Sequence, residues 1–328
     1  MTRMVRYSCP FVPAEWIAAH GLRPGRTLPR PVGAGMPVMA HGEGLCPYAR
    51  EFAEDLASMA DDDLAVMTTT CDQMRRINEW LPEEVRERCF MMHVPTSWES
   101  ASAQRYYRDE LRRLGRWLQN AGGRSPDAAR LREVMMRFDA TRARILDARP
   151  YLAAREFAAV LRDFFEGGDL ADLPGTGPIR TGGIPIGIVG GPLLEDHWTM
   201  LDRIENAGGR VALDATAFGE RTLPRAFQRR QMREDPFGEL ADAYFGHIPD
   251  AFRRPNSMLY IWLRDMIRER QLRALIFHHY VWCDTWHAEM ERMREWADIP
   301  LLGIETGDDA SLTASAISRL DAFLEVLA

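Results

Sequence analysis

The hydrophobic and polar positions in the second half of the chain follow two alternating patterns. Short, almost continuous apolar runs, typical of buried parallel strands, are separated by segments whose apolar residues recur with helical period. The strands predicted from these runs are residues 184–190, 210–214, 274–282 and 300–305. The predicted helices are residues 193–207, 257–270, 284–297 and a final segment that begins near residue 311. Four strand–helix repeats predict a doubly wound α/β sheet.

The first half repeats this alternation less regularly. A Pro- and Gly-rich stretch over residues 21–44 predicts mostly loop, with one short strand at most. A second βα series follows, and three long helices come after it. The predicted strands are residues 64–70 and 89–94. The predicted helices are residues 13–19, 47–60, 72–80, 101–120, 126–148 and 151–166.

Length and turn residues predict two domains. A chain of 328 residues is long enough for two domains of roughly 150 residues each. The segment 167–183 is rich in Gly and Pro and is the best candidate for a junction. We therefore predict an N-terminal α/β domain with a helical segment over residues 1–175 and a C-terminal α/β domain over residues 176–328.

Composition excludes several functions. The 41 basic and 48 acidic side chains give a net charge of −7, so no overall field favours nucleic acid. Every basic residue is Arg, which excludes Schiff-base chemistry, a P-loop lysine and a lysine general base. The longest apolar run, residues 184–194, is too short and too rich in Gly and Pro to span a bilayer. With no stretch resembling a signal peptide at the start, we expect a cytoplasmic protein.

The five cysteines are too irregularly spaced for a disulfide framework, but three of them begin predicted helices. Cys71-Asp72 and Cys283-Asp284 stand where a predicted strand ends and a helix starts. Ligand sites collect at such strand ends, and free backbone N–H groups there stabilise a thiolate. Cys46 follows a Gly-Glu-Gly stretch and precedes a proline suited to a first helical turn. Three thiolates could converge between the domains and hold an iron–sulfur cluster or a zinc ion with one open position.

Other interpretations of these cysteines remain open. The chain contains no C-x-x-C, so its spacing is not that of a ferredoxin or a zinc ribbon, and three unrelated buried thiols are the competing interpretation. Cys9 lies before Pro10 in a predicted loop and is a candidate further ligand or near neighbour. Cys89 begins a predicted core strand, where structural burial is expected.

Two further pairs of residues near predicted strand ends have both a structural and a functional interpretation. Alternation along the third C-terminal strand sends His278 and His279 to opposite faces, where we expect core histidines with satisfied hydrogen bonds rather than proton-transfer groups. Gly190 and Gly191 predict a tight strand-to-helix turn rather than a dinucleotide site, because the G-x-G-x-x-G pattern is absent.

Five motifs, taken in order along the chain, carry a family resemblance: residues 8–15 (SCPFVPAE), 44–50 (GLCPYAR), 69–72 (TTCD), 190–193 (GGPL) and 280–284 (YVWCD). Together they resemble the 2-hydroxyacyl-CoA dehydratase D-component family, which includes benzoyl-CoA reductase subunits. The resemblance implies two flavodoxin-like, Rossmann-like parallel-sheet domains with extra helices between them. It also implies a 4Fe-4S cluster on three cysteines, which match Cys46, Cys71 and Cys283. Cys9 matches one extra cysteine of relatives with a double-cubane cluster, but the full set is absent, so the single cluster is favoured.

The same resemblance implies a function. It is one-electron, ketyl-radical chemistry on an acyl-CoA thioester, with electrons from an ATP-dependent iron–sulfur activator and with a second, homologous subunit as partner. Because only one of two such subunits binds substrate, this chain could be catalytic or could relay electrons. The alternatives are a non-catalytic accessory subunit that carries a cluster and a zinc site on the same three thiolates. No nucleic-acid or membrane partner is expected.

Overall fold

Two four-stranded, all-parallel sheets organise the protein in a computed structural model that describes residues 2–29, 44–168, 170, 173 and 178–327. The strands of the first sheet are β1 (Met4–Tyr7), β2 (Arg23–Arg26), β3 (Leu64–Thr68) and β4 (Cys89–Met92), in the spatial order β2-β1-β3-β4. The strands of the second are β5 (Ile184–Gly190), β6 (Gly209–Ala215), β7 (Ala274–Tyr280) and β8 (Leu301–Thr306), in the order β6-β5-β7-β8. In both sheets the strands are ordered second, first, third and fourth, as in a flavodoxin-like sheet. The predicted α/β architecture of two parallel sheets is confirmed.

Helices connect the strands and fill the interval between the sheets. The helices before the second sheet are α1 (Ala14–Ala19), α2 (Pro47–Ala57), α3 (Asp72–Trp80), α4 (Glu83–Arg86), α5 (Ala101–Asn120), α6 (Ala128–Ala148) and α7 (Ala154–Phe165). Those after β5 are α8 (Thr199–Asn206), α9 (Arg229–Glu234), α10 (Pro236–Ala241), α11 (Ser257–Glu269), α12 (Asp284–Trp296) and α13 (Ala314–Leu327). Among the described residues, no helix is both long enough and apolar enough to cross a membrane.

The structure contains short helices that were not predicted, α4, α9 and α10, and it departs from the predicted elements elsewhere as well. Strand β1 was not predicted, because it is four residues long and carries Arg6; the charge of Arg6 is met by Asp55 and Asp63, at 3.2 and 3.4 Å. The single helix predicted over residues 193–207 is a 3₁₀ turn, Glu195–Trp198, followed by α8. The short strand allowed within residues 21–44 is β2, whereas residues 30–43 and the junction predicted at 175/176 lie outside the described residues.

The excursion between β6 and α11 packs on the first half of the protein. Tyr244, which follows α10, donates a hydrogen bond of 2.6 Å to the buried Glu15 on α1, and Glu15 also pairs with the buried Arg142 on α6. Phe245 stacks on Tyr107 of α5 with ring centroids 4.6 Å apart. A segment inserted between two strands of the second sheet, β6 and β7, therefore completes the helical layer beside the first sheet.

The end of β5 shows why a glycine is needed beside the second sheet's central strands. Gly190 has a φ of +138°, and a Cβ built on it would lie 1.9 Å from the carbonyl oxygen of His278 on β7. That oxygen accepts a hydrogen bond of 3.0 Å from the backbone N–H of Gly191, whose own Cβ position has no atom closer than 3.8 Å. Four residues, 191–194, separate β5 from the 3₁₀ turn, so the strand-to-helix connection is longer than the predicted tight turn, and the close approach at Gly190 is to backbone.

This contrast gives a prediction with a neighbouring control. We expect Gly190→Ala to lower the free energy of unfolding by about 3 kcal/mol or more, from backbone strain and overlap with β7. Gly191→Ala should cost less than about 1 kcal/mol, because its side chain has room. Denaturant unfolding of the two variants measures the difference. Equal stability of the two would contradict the close approach at Gly190.

Candidate metal centre

The carboxyl ends of both sheets open onto one cavity. Each sheet has a switch point beside its first strand, between β1 and β3 and between β5 and β7, and open α/β sheets bind ligands at such points. The cavity has a volume of about 120 Å³. Its wall includes Cys9 and Cys71, which follow β1 and β3, and Pro192 and Cys283, which follow β5 and β7. The two switch points therefore share this cavity.

Four of the five cysteines line the cavity. Cys46, Cys71 and Cys283 are the N-cap residues of α2, α3 and α12, as the sequence predicted, and Cys9 joins them from the loop after β1. Cys71 and Cys283 occupy equivalent places, each three residues after the last residue of its strand. Cys89 lies at the opposite, amino-terminal end of β4, where its thiol donates to a backbone carbonyl at 3.2 Å. The structure thus gathers the three predicted ligands and Cys9, and separates Cys89 from them.

The cavity thiols do not ionise as readily as their positions at helix starts suggested. Burial raises the pKa of Cys71 to about 12, and the charge of Cys283 adds to that rise. The pKa of Cys283 is raised well above its usual range; the largest cause is a hydrogen bond with the Cys46 thiol, and burial is the next largest. Backbone N–H groups in the first turns of α3 and α12 lower both values, but burial and the crowding of thiols outweigh them. At neutral pH the thiols of Cys71 and Cys283 are therefore protonated in the protein alone, so a bound cation must displace their protons.

The three sulfur atoms are not all close together: the thiols of Cys46 and Cys283 are in hydrogen-bond contact, but at least one other pair lies farther apart. Among the described residues, Cys46, Cys71 and Cys283 do not form a set in which every pair of sulfurs lies within 4.8 Å. Thiolates on one tetrahedral zinc ion, each 2.3 Å from the metal, lie about 3.8 Å from one another. The spacing is therefore wider than one metal ion requires.

Apolar and aromatic side chains form much of the remaining wall. They are Phe11, Met74, Phe218, Phe252, Tyr280 and Trp286. Such a wall keeps water away from the thiols and lowers the local dielectric constant, which strengthens every electrostatic interaction inside.

Tyr48 places a hydroxyl group on this apolar wall. Its ring lines the cavity two residues after Cys46, and its buried oxygen lies near the Ser8 hydroxyl but makes no hydrogen bond of ordinary geometry among the described residues. Burial raises the pKa of Tyr48, so the phenol stays protonated and can donate. A buried hydroxyl without a well-formed hydrogen bond is uncommon, so this group is a candidate donor to a ligand in the cavity. The sequence analysis missed Tyr48, although its place in the motif of residues 44–50 was a usable signal.

Gln73 fixes the start of α2 against α3. Its side-chain oxygen accepts a hydrogen bond of 3.2 Å from the backbone N–H of Cys46. On the other side of the cavity, the hydroxyl of Thr70 lies 2.9 Å from that of Thr68 and 3.5 Å from the sulfur of Cys9. These contacts hold two of the four thiols in place through side chains that the sequence analysis did not single out.

Arg26 joins the two sheets beside the cavity. Arg26 lies at the end of β2, and its buried guanidinium donates a hydrogen bond of 2.9 Å to the carbonyl of Ser8, which follows β1. It also donates to the hydroxyl of Thr222, at 2.8 Å, and to the carbonyl of Ala217, both beyond β6. The aromatic ring of Phe218 lies 4.4 Å from the guanidinium carbon. No sequence signal identified this residue, because two of its partners, Thr222 and Ala217, lie almost 200 positions away in the sequence.

His278 and His279 occupy opposite faces of β7, as alternation predicted. His278 is fully buried, with Nε2 2.8 Å from the hydroxyl of Thr306, and lies beside Tyr280. Burial lowers its pKa well below the usual range, so it is a neutral core histidine. His279 faces the first turns of α12, where its ring meets that of His287.

The bridge made by Arg26 is testable by substitution. We expect Arg26→Ala to lower the free energy of unfolding by about 3 kcal/mol or more, since charged hydrogen bonds and ring contacts are lost. Arg26→Lys should recover less than half of that loss, because an ammonium cannot reproduce the forked donors. Arg23→Ala, at an exposed position of the same strand, is the control and should cost less than about 1 kcal/mol. A tolerated Arg26→Ala in denaturant unfolding would show that the sheets are joined elsewhere.

Comparison with known proteins gives one family. The sequence profile described as 2-hydroxyglutaryl-CoA dehydratase, D-component, matches residues 9–327, which is nearly the whole chain. No curated protein gives a match.

Proposed function

Because the chain belongs to the 2-hydroxyglutaryl-CoA dehydratase D-component family, we propose that it is the iron–sulfur subunit of a 2-hydroxyacyl-CoA dehydratase-type enzyme. Cys46, Cys71 and Cys283 would hold a 4Fe-4S cluster in the cavity between the two sheets. The observation that carries this proposal is the convergence of thiols from three helix starts, in both halves of the chain, on one buried cavity.

The donor set fits such a cluster. Thiolates are the usual ligands of iron–sulfur clusters, and a cluster that offers a different iron to each thiolate suits sulfurs spread more widely than zinc requires. Three ligands leave one position open for catalysis. Cys9, whose sulfur lies 3.5 Å from the Thr70 hydroxyl, would be a neighbour rather than a fourth ligand. A double-cubane cluster is the lesser alternative, because the chain has five cysteines and one of them, Cys89, lies away from the cavity.

The chain's own residues would prepare the cavity for acyl-CoA chemistry. When bound, the cluster would supply one-electron transfer to a thioester carbonyl and a Lewis-acidic iron. Backbone N–H groups at the starts of α3 and α12 favour the ionised state of Cys71 and Cys283. The aromatic wall would exclude water from the cavity, and the Tyr48 hydroxyl would donate a hydrogen bond to a substrate oxygen there.

The proposal includes partners. They are a second homologous subunit, an ATP-dependent iron–sulfur activator that delivers electrons and an acyl-CoA substrate. Free thiols on all five cysteines suit a reducing compartment, the cytoplasm.

A second candidate function is electron relay without substrate binding. It is favoured by the cavity volume of about 120 Å³, since small-molecule pockets commonly measure about 300–1,000 Å³. The two functions separate when the chain is purified anaerobically and reconstituted with its partner and activator. A catalytic subunit's cluster EPR signal should change on addition of an acyl-CoA, whereas a relay subunit's signal should not.

The ligand assignment makes a direct prediction. Cys46→Ser, Cys71→Ser and Cys283→Ser should each lose most of the bound iron and acid-labile sulfide, because the serine hydroxyl is a poorer ligand for the cluster. Cys89→Ser is the matched control and should retain both. Cys9→Ser should also retain them if three cysteines suffice. Iron and sulfide analysis of anaerobically purified variants measures this; zinc without sulfide in the unaltered protein would instead support the single-ion alternative.

Tyr48 gives a second prediction. Tyr48→Phe removes a buried hydroxyl whose contact with Ser8 is not a well-formed hydrogen bond, so the free energy of unfolding should stay within about 1 kcal/mol and the iron content should not change. If the hydroxyl donates to the substrate oxygen, kcat should fall by about 10²-fold. Turnover with partner and activator, beside thermal unfolding, measures both. Unchanged turnover would remove Tyr48 from the reaction.

A further inference from the structure

A second group of possible metal ligands lies on the other face of β7. The group consists of His279 on β7, Glu305 on β8 and His287 near the start of α12, and its ligand atoms all lie within 4.8 Å of one another. We infer that these three side chains form a binding site for a transition-metal ion of the zinc class, separate from the thiol-lined cavity. This inference goes beyond the proposed function and does not rest on it.

Rigid elements hold the three ligands in register. His279 and Glu305 are direct partners across the parallel pair β7 and β8, so their side chains leave the same face of the sheet. The backbone N–H of His287 donates a hydrogen bond of 2.8 Å to the carbonyl of Cys283. This bond places the imidazole of His287 one turn into α12. The rings of His279 and His287 lie 5.4 Å apart, centroid to centroid, at 86° to each other. Sites on strands and helices keep their geometry better than sites on loops.

The gap between the ligands suits an ion better than a hydrogen bond. Nδ1 of His279 makes a long hydrogen bond of 3.3 Å with the carbonyl of Tyr280 and lies 3.8 Å from the Glu305 carboxylate, too far for a hydrogen bond. Two ligands of a tetrahedral ion, each 2.0–2.1 Å from the metal, lie about 3.4 Å apart. The Glu305 side chain is 52% exposed and can make the remaining movement of about half an ångström.

The chemistry of the donors selects the metal class. Two imidazoles and one carboxylate are a ligand set that Zn²⁺ takes with water in the fourth position, whereas Mg²⁺ and Ca²⁺ prefer oxygen ligands throughout. Burial lowers the pKa of His279, which keeps its imidazole neutral and its lone pair available. His287 and Glu305 are exposed, so the ion can enter from solvent and keep a water ligand.

Such an ion would fasten the segment that carries Cys283. Residues 279–287 run from the end of β7 to the first turns of α12 and include Trp282, whose φ of +65° is strained for a bulky side chain. A metal ion bound by His279, Glu305 and His287 would restrain both ends of this segment, whereas Cys283 lines the cavity. The metal ion would therefore stabilise the segment that carries Cys283, although it shares no ligand with the thiols.

Equilibrium dialysis against Zn²⁺, with metal analysis of the full-length chain purified anaerobically, tests the inference. The variants are His287→Ala and Glu305→Gln, and the control is His247→Ala, another exposed histidine with a carboxylate neighbour. We expect one zinc per chain in the unaltered protein and the control, and binding at least tenfold weaker in the two site variants. Zinc should also raise the Tm of the unaltered protein and the control, but not of His287→Ala.

The cysteine cavity is the competing zinc site, so Cys71→Ser is included. We expect this variant to keep the zinc that His287→Ala loses, and His287→Ala to keep its iron and sulfide. Zinc lost in Cys71→Ser but kept in His287→Ala would assign the ion to the thiols and overturn the inference. Absence of zinc binding by the unaltered protein, or equal binding by all variants, would overturn it as well. Failure of the cluster proposal would instead appear as missing iron and sulfide in every variant.

Discussion

The buried charge of Arg26 is the constraint on which the candidate site depends. Its guanidinium takes carbonyl and hydroxyl acceptors from the ends of strands in both sheets, and aromatic rings cover its faces. Among the described residues, its hydrogen-bond partners include no carboxylate, so its positive charge acts on the cavity beside it. That charge lowers the pKa of Cys9 and Tyr48 against the larger effect of burial. This nearby cation would offset the negative charge of the thiolate-ligated cluster proposed above.

The thiols illustrate a balance between helix starts and burial. First-turn N–H groups stabilise an adjacent anion by about 0.3–1 kcal/mol at exposed sites, whereas moving a thiolate into an apolar cavity costs considerably more. The neighbouring Cys46 thiol adds to the effect of burial: its hydrogen bond is the largest cause of the raised pKa of Cys283, and its charge raises that pKa further. Helix starts alone therefore do not make this a thiolate site; they orient the sulfurs, and a bound cation has to supply the remaining stabilisation.

Most of the fold, and part of the site, could be predicted from sequence because local patterns encode them. Strand β5 and helices α3 and α5 have the predicted bounds, since their apolar periodicity is continuous. The cysteines at strand ends could be identified because the strands that precede them had been predicted from their apolar runs. Strand β1 was missed, as Arg6 interrupts its pattern and is compensated by acids about 50 residues away. Arg26 and its acceptor Ala217 are 191 residues apart, and no local pattern encodes such a contact.

The placement of the thiols also links cofactor binding to the assembly of the two halves. Each sheet has an apolar core on one face, and a third core is shared by the two halves. Cys71 comes from the first sheet, Cys283 from the second and Cys46 from the start of α2, whose residues belong to the shared core. A group bound by all three adds its binding energy to the same junction that Arg26 spans, because only the assembled halves present the full ligand set. Loss of that group should thus loosen the contact between the sheets before it disturbs either one. The cofactor would then stabilise the contact between the two halves in addition to supplying the chemistry of the site.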